Sequence, residues 1–305
     1  MTLSEIPFPD VDPVAFHVFG FPVRWYGLSY VLAFAIAYVV LRMLAKRGRW
    51  PVPPERVGDV LFWGILGVFL GGRIGYMLFY AEDKSWTQWW RVWEGGMAFH
   101  GGILGVVGAY FVWGLVQKVP FRWIGDGLAL ATPLGIFCVR AANFLNGELY
   151  GREWDGPWSF RFPVYDLTNG RLIATTAPRH PSQLYEGLTE GLLVFFILRW
   201  LMLRRRWGGG TIGSMFLILY GTFRFGTEFF REPDKQIGYE FLHMTRGQEF
   251  CLAMIALGVF FLVWMRRTWK PYPSGEGLVV PPERTAFPRS PADLAQMQAR
   301  SGPTA

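Results

Sequence analysis

The sequence predicts an all-α integral membrane protein, a bundle of about seven transmembrane helices with a small extracytoplasmic cap. The first observation is composition, because 51% of the 305 residues are hydrophobic and 18% are aromatic, more than a soluble domain needs for its core. The second is spacing: apolar runs near the length of a bilayer-spanning helix recur along most of the chain. The third is the Trp-, Gly- and Pro-rich segment 147–180, which is long for a connection and therefore predicts a functional cap.

Hydropathy places the predicted spans in order along the chain. They lie at about 26–46, 60–80, 97–117, 125–146, 183–203, 211–230 and 250–266. Residues 1–270 are expected to form one membrane domain that includes the 147–180 cap, in which alternating stretches favour short strands. Residues 271–305, rich in Pro, Ser, Ala and Arg, are expected to form a disordered cytoplasmic tail. The first residues lack basic and apolar regions, so the first span is expected to direct its own insertion.

Basic clusters orient these spans. They follow the first, fifth and last spans and comprise Arg42, Lys46, Arg47, Arg49, Arg56, Arg204, Arg205, Arg206, Arg266, Arg267 and Lys270. The positive-inside bias puts these sides in the cytoplasm, so the N-terminus is expected outside and the C-terminus inside. Because the positive charge, +7 overall, lies beside the apolar runs, it favours anionic lipid as a partner over nucleic acid. Cys138 and Cys251 lie within apolar segments, so neither a disulfide nor a metal site is expected.

Two ionisable residues inside apolar runs are functional candidates, since lipid tolerates charge only in a bundle interior or a water-filled cavity. Arg73 lies among glycines in FLGGRIGYMLFY, which would let its guanidinium cross a helix interface. The alternative for Arg73 is snorkelling towards the outer headgroups. His100 lies in GGMAFHGGILG, where glycines leave the imidazole open to a ligand, although a lone histidine is more often structural.

The densest polar group is RAANFLNGELYGR, which begins at Arg140 near the outward end of the fourth span. Arg140 and Asn143 are neighbours on a helix, where a guanidinium can bind two phosphate oxygens and an amide can reach a hydroxyl or the same phosphate. An interfacial helix end capped by Asn146 and Gly147 is the alternative. Arg140 has no carboxylate at helical spacing before it and only Glu148 beyond, so a substrate phosphate is expected as its counter-charge.

A polar stripe is expected on the sixth span, within YGTFRFGTEFFREPD. Tyr220, Arg224 and Glu228 recur every four residues and Arg231 follows three later, so the stripe should face the bundle interior. A ladder of ion pairs that only fixes helix packing would give the same pattern. The two interpretations are compatible, because Glu228 would then hold an arginine in position for function.

The segment HPSQLYE at 180–186 begins the fifth span, and its Gln183 and Glu186 would share one face. This pattern favours hydrogen bonding between helices over chemistry. Neither a Ser/His pair in a Gly-rich turn nor a metal-binding aspartate array is apparent, which weighs against a different membrane hydrolase or phosphatidyltransferase. A small-solute transporter is the main alternative, but no convincing internal repeat is visible.

These motifs resemble the prolipoprotein diacylglyceryl transferase family over about residues 20–270. The matching pieces are Tyr26, HGG at 100–102, RAANFLNGELYG at 140–151, HPSQLYE at 180–186 and FRFGTEFFREPD at 223–234. The resemblance implies a bacterial cytoplasmic-membrane enzyme that moves the diacylglyceryl group of phosphatidylglycerol to the lipobox cysteine behind the signal peptide of a preprolipoprotein. A thioether would form and glycerol phosphate would leave. No metal and no cofactor are implied.

The resemblance also implies roles for individual residues. The predicted catalytic residues are His100, Arg140, Arg224 and Tyr26; those predicted to bind phosphatidylglycerol are Arg140, Asn143, Arg224, Asn146, Glu148 and Gly151. The polar groups expected to support them are Arg73, Tyr220, Glu228 and Arg231. Val139 and Ala142 stand where relatives often have glycine, which adds bulk beside Arg140.

The implied reaction needs a deprotonated thiol and stabilisation of the departing phosphate. Arginines suit the second task, because they interact more strongly as negative charge develops. His100 is the candidate base for the first task. Nearby arginine charge could instead favour the thiolate without a dedicated base.

Overall fold

A computed structural model gives the fold. It describes residues 6–9, 11–81, 85–91, 95–165, 172–204, 207–232 and 244–268. The predicted tail at 271–305 and the basic residues Arg205, Arg206 and Lys270 lie outside the described residues. The chain divides into two compact units, the first formed by Met1–Val57 and Gly125–Gly277 and the second by Gly58–Ile124 and Leu278–Ala305. The proposed single domain at 1–270 stays a prediction.

The described structure is mostly helical, as the sequence predicts. The α-helices are α1 (Trp25–Lys46), α2 (Val57–Phe79), α3 (Trp86–Trp90), α4 (Phe99–Gln117), α5 (Phe121–Leu145), α6 (Ser182–Glu186), α7 (Val194–Arg204), α8 (Thr211–Thr227) and α9 (Arg246–Thr268). A π-helical segment, Gly187–Leu193, joins α6 to α7, and 3-10 turns occupy Pro54–Arg56 and Glu228–Phe230. The strands are β1 (Val14–Val18), β2 (Phe21–Arg24), β3 (Pro163–Tyr165) and β4 (Leu172–Thr175).

Five of the helices are long and apolar enough to cross a membrane. They are Trp25–Lys46, Pro54–Phe79, Phe99–Gln117, Phe121–Leu145 and Arg246–Arg267. Large apolar side chains on these helices remain exposed, for example Leu104 at 71% and Phe260 at 60%. Such exposure is typical of a lipid-facing surface. These helices therefore indicate an integral membrane protein.

The predicted fifth and sixth spans are also helical, but neither is one long uninterrupted α-helix. The run 182–204 contains the π-helical segment. The α8 helix has 17 residues and passes at Glu228 into a 3-10 turn, so Arg231 lies beyond its end in an extended conformation. The predicted polar stripe thus begins on α8 and continues beyond the end of that helix.

Packing within the first unit fixes the position of α8. A Cβ atom at Gly221 would lie 2.8 Å from Ile255, and one at Gly258 would lie 2.9 Å from the Ser214 carbonyl oxygen, so α8 and α9 approach closely. At the other end of α8, the buried Asp126 carboxylate of α5 accepts hydrogen bonds from two backbone amides near Gly210. A carboxylate is favourable at a helix N-terminus.

Two antiparallel hairpins accompany the helices. The β3–β4 pair lies in the 147–180 segment, where short strands were expected. The β1–β2 pair at 14–24 was not predicted. Its turn contains Phe19 with φ 49° and Gly20 with φ 82°, a two-residue left-handed turn that matches the twist of paired strands.

Candidate active site

Three arginines and three glutamates meet in the first unit, at α5, the helical run 182–204 and the end of α8. They are Arg140, Arg224, Arg231, Glu186, Glu190 and Glu228, called here the Arg–Glu cluster. All three glutamates are buried. Buried carboxylates are costly unless they are paired, so the cluster must form together as the helices pack.

Glu186 is the centre of this cluster. Its Oε2 atom lies 2.6 Å from Nη2 of Arg140, and its Oε1 atom lies 3.5 Å from Nη1 of Arg224 and 3.2 Å from Nη1 of Arg231. Glu186 is completely buried. One carboxylate therefore contacts three guanidinium groups from two different parts of the chain.

The other two glutamates also pair with Arg224. Arg224 Nη2 lies 2.8 Å from Glu228 Oε2, and Arg224 Nη1 lies 3.8 Å from Glu190 Oε1. Each carboxylate also accepts a hydroxyl hydrogen bond, Glu190 from Thr227 at 2.7 Å and Glu228 from Thr245 at 3.0 Å. These bonds fix the carboxylates, so the Arg224 guanidinium is held in a defined orientation.

Small residues in the π-helical segment let α5 approach the cluster. A Cβ atom at Gly187 would lie 3.5 Å from the Cβ of Arg140, and one at Gly191 would lie 2.8 Å from the Cβ of Phe137. A side chain at Gly191 would push α5 away. Single π-helical turns occur frequently at functional sites, and this one directly follows Glu186 and contains Glu190.

The signature residues after Arg140 form the end of α5. Asn143 and Asn146 each donate a side-chain hydrogen bond to Oε1 of Glu148, at 3.0 and 3.2 Å. Gly147 has φ +67°, the left-handed conformation expected of a helix C-terminus. Gln183 of α6 donates to the Glu148 backbone carbonyl at 2.7 Å. The segment thus forms a helix end with Gly147 just beyond it, and Gln183 bonds to the residue after that glycine rather than to a second helix.

Gly151 joins this segment to the end of α8. Its amide donates to the His180 carbonyl at 2.9 Å, and Gly151 pairs with Arg231 in a β-bridge. A Cβ atom at Gly151 would lie 2.3 Å from the Phe230 carbonyl oxygen. Arg152 Nε donates to the Arg231 carbonyl at 2.6 Å. The 147–180 segment thus contacts the backbone that carries Arg231.

Two tyrosines predicted for the site also lie in the first unit. The hydroxyl of Tyr26 lies 3.1 Å from the hydroxyl of Tyr30 on the next turn of α1. Tyr30 interacts electrostatically with Arg140 and Glu148. Tyr220 is within electrostatic range of the cluster as well.

Arg73 and His100 belong to the second unit. Arg73 is buried, and its guanidinium donates to backbone carbonyls of Gln88, Trp89, Arg91, Gly95 and Gly96. These contacts give Arg73 a structural part in that unit and differ from snorkelling. His100 is exposed at the start of α4, with its ring 5.7 Å from that of Phe99.

Partners at helical spacing alone led to the expectation of a substrate phosphate as the counter-charge of Arg140, whereas the structure shows that Glu186 also pairs with Arg140 at 2.6 Å. Helical spacing cannot reveal this pair, since the two residues lie on different helices. Sequence reasoning also missed Glu190. It is an ionisable residue inside an apolar run, which is the same signal that identified Arg73 and Arg140.

The arginine side chains stay partly exposed although the glutamates are buried. The side chains of Arg140, Arg224 and Arg231 are 18%, 15% and 21% exposed, whereas that of Glu186 is 0% exposed. Guanidinium groups pair well with anionic groups such as carboxylate and phosphate. The fold and the site define a multi-pass membrane protein with an Arg–Glu cluster in its interior.

Comparison with known proteins identifies the family. The family model for prolipoprotein diacylglyceryl transferase matches residues 13–264, and the chain belongs to this family of membrane transferases. A relative from Idiomarina loihiensis, named phosphatidylglycerol–prolipoprotein diacylglyceryl transferase, is 44% identical over 273 residues, covering 88% of this chain and 97% of that protein. Proteins of the same name from Vibrio cholerae and Coxiella burnetii are each 42% identical, covering 87% and 85% of this chain and 95% and 97% of their own lengths.

Proposed function

We propose that the chain transfers the diacylglyceryl group of phosphatidylglycerol to the thiol of the lipobox cysteine of bacterial preprolipoproteins. This is the first step of lipoprotein maturation. Family membership and the names of the relatives support the two substrates. The same evidence favours the transferase over the small-solute transporter considered from the sequence.

The observation that carries the proposal is the shared contact of Arg140 and Arg224 with Glu186. The two oxygens of this one carboxylate lie 2.6 Å from Arg140 and 3.5 Å from Arg224. A single group of that size can thus engage both guanidinium groups. A phosphate is of similar size and both arginine side chains are partly exposed, so Arg140 and Arg224 are proposed to bind the lipid phosphate together.

The bond changes follow from the substrates. The cysteine sulfur attacks the glyceryl carbon that carries the phosphate, the carbon–oxygen bond breaks, and glycerol phosphate leaves with the electron pair. The thiol proton passes to a base. Arg140 and Arg224 stabilise the charge that develops on the departing phosphate oxygen, in an interior where such interactions are stronger than in water.

The proposed base is His100, whose imidazole can accept the thiol proton. Its exposed position at the start of α4 leaves the ring open to a substrate. The alternative is a thiolate favoured by arginine charge alone. Tyr26 is proposed to act together with Arg140 in the first unit, because its partner Tyr30 interacts electrostatically with Arg140.

The polar residues at the end of α5 are proposed to bind the glycerol headgroup. Asn143, Asn146 and Glu148 form one hydrogen-bonded group next to Arg140 in the chain, and amides and carboxylates pair well with hydroxyls. Gly151 is proposed to keep the 147–180 segment close to this group. The roles of Arg73, Tyr220, Glu228 and Arg231 are supporting ones.

The proposed setting is the bacterial inner membrane, with about seven spans. The helical run 182–204 and α8 are proposed to span in addition to the five long helices. The 147–180 segment would form the extracytoplasmic cap, the N-terminus would lie outside and the C-terminus in the cytoplasm. The basic clusters after the first, fifth and last spans support this orientation.

A reconstituted reaction tests the function directly. Purified protein is incubated with phosphatidylglycerol and a lipobox peptide, and the peptide mass is measured. A gain equal to one diacylglyceryl group is expected, with equimolar release of glycerol phosphate. A peptide with serine in place of the lipobox cysteine should remain unmodified. No adduct on the cysteine peptide, with correctly folded protein, would overturn the proposal.

A further inference from the structure

We propose that Glu186 limits how tightly the Arg–Glu cluster holds phosphate, so that the anionic product can leave, while it keeps the three guanidinium groups together. Its carboxylate contacts Arg140, Arg224 and Arg231 at 2.6, 3.5 and 3.2 Å. This inference rests on the proposed function. It adds a positioning residue whose charge acts on the substrate through the arginines.

Glu186 and the arginines differ in their exposure. Glu186 is completely buried, whereas the three arginine side chains keep between 15% and 21% exposure. An anion that binds the arginines therefore meets guanidinium groups that already carry a buried carboxylate partner. The negative charge of Glu186 lowers the attraction between the arginines and that anion.

The weaker attraction between the arginines and an anion matters most for the product. A phosphate diester carries a single negative charge, whereas a monoester such as glycerol phosphate carries about 1.5 to 2 charges near pH 7. Three arginines without Glu186 would hold the product more tightly than the substrate. Slow product release limits turnover in many enzymes, so a fixed buried carboxylate at this position favours repeated cycles.

Glu186 also determines the spacing of the arginines. Arg140 comes from α5, whereas Arg224 and Arg231 come from α8 and the segment after it. In the described part of the chain, Glu186 is the carboxylate that pairs with Arg140. Shortening this side chain would separate Arg140 from the other two arginines. The charge of Glu186 and the length of its side chain thus make two distinct contributions, and different substitutions can test them.

The test uses two variants of Glu186 in the full-length protein. Glu186→Gln keeps the shape and removes the charge, whereas Glu186→Asp keeps the charge and shortens the side chain. Glu153→Gln is the matched control, because Glu153 pairs with Arg179 at 3.2 Å but its side chain is 68% exposed. For each protein we would measure kcat, KM for phosphatidylglycerol, and the inhibition constant of added glycerol phosphate.

Glu186→Gln is expected to lower the inhibition constant by about tenfold, together with kcat. Glu186→Asp should lower kcat while the inhibition constant stays within about twofold of wild type. Glu153→Gln should match wild type in kcat, in KM for phosphatidylglycerol and in the inhibition constant. An unchanged or higher inhibition constant in folded Glu186→Gln would overturn the inference. If Glu186→Gln does not fold, Glu186→Asp provides the test. A wild-type kcat or a lowered inhibition constant in Glu186→Asp would contradict the separate roles of the charge and the length of the Glu186 side chain.

The inference and the proposed function can fail separately. Absence of transfer by wild-type protein would reject the proposed function. Direct titration of wild type and Glu186→Gln with glycerol phosphate would still test the inference, because it requires tighter binding to the variant whether or not transfer occurs. Equal or weaker binding to the variant would reject the inference even if wild type were fully active.

Discussion

Glu186 Oε2 lies 2.6 Å from Arg140 Nη2, and this contact joins α6 to the C-terminal part of α5. An isolated charge at either position would be unfavourable in a membrane interior, and the pair removes much of that cost. The arginine at the signature motif is therefore already held in place before any lipid binds. This preorganisation underlies the mechanism proposed for the chain.

Gly151→Ala should destabilise the protein. The added Cβ atom would lie 2.3 Å from the Phe230 carbonyl oxygen and 2.9 Å from the His180 Cβ atom, so backbone must move. Overpacking of this kind costs about 1–3 kcal/mol. Thermal unfolding in detergent would measure the loss. Gly108→Ala is the control, because nothing lies within 4 Å of a Cβ atom there. Equal stability of the two variants would contradict the close packing described at Gly151.

Acidification should weaken the folded state through His180. Its ring stacks on Trp154 at 4.3 Å, with Tyr185 and Phe230 around it, and burial lowers the pKa of His180 from its ordinary value. The unfolded chain therefore binds the proton first as the pH falls below about 6.5, which stabilises the unfolded state. Unfolding temperatures between neutral and mildly acidic pH should fall more steeply for wild type than for His180→Phe. Parallel curves would contradict this contribution.

His100→Ala should lower turnover more than lipid binding. A general base contributes typically about 10²–10⁴-fold to a rate, while the proposed phosphate contacts come from arginines and would remain. Comparison of kcat with lipid affinity, each measured on folded protein, separates the two effects. Near-normal turnover at neutral pH would remove His100 from the catalytic residues and leave the arginine-assisted thiolate as the preferred account.

The membrane orientation can be tested by labelling. A cysteine introduced near Gly156 should react in intact cells with a membrane-impermeant reagent, because the 147–180 segment is expected outside. A cysteine placed in 271–305 should react only after the membrane is opened. The native Cys138 and Cys251 are buried, so their background labelling should be low. Labelling of the tail in intact cells would reverse the proposed topology.

The sequence predicted those features that depend on local pattern. The membrane helices follow from apolar runs, and the polar residues around Arg140 and Arg224 follow from the rule that charge within lipid faces the interior. The short strands β3 and β4 were expected from alternation in 147–180. Family resemblance came from motif order, and the comparisons confirmed it.

What the sequence could not predict depends on contacts between distant segments. Glu186 was expected to form hydrogen bonds between helices, but the sequence could not show that its partner on α5 is Arg140. The π-helical segment depends on tertiary packing of Gly187 and Gly191 against α5, and no periodicity reports it. The sequence allowed Arg73 either to cross a helix interface or to snorkel, and its partners in the structure are backbone carbonyls, which carry no sequence signal.

The most direct test of the proposed mechanism concerns the binding of the lipid phosphate by Arg140 and Arg224. Arg140→Lys and Arg224→Lys keep the charge but lose the planar arrangement of donors that binds two oxygens. Transfer from phosphatidylglycerol to a lipobox peptide would be measured with each variant, after folding and membrane insertion are verified. Each should lose at least about 10²-fold in kcat, comparable with removal of an oxyanion-stabilising donor. Wild-type turnover by either folded variant would contradict the assignment of this site.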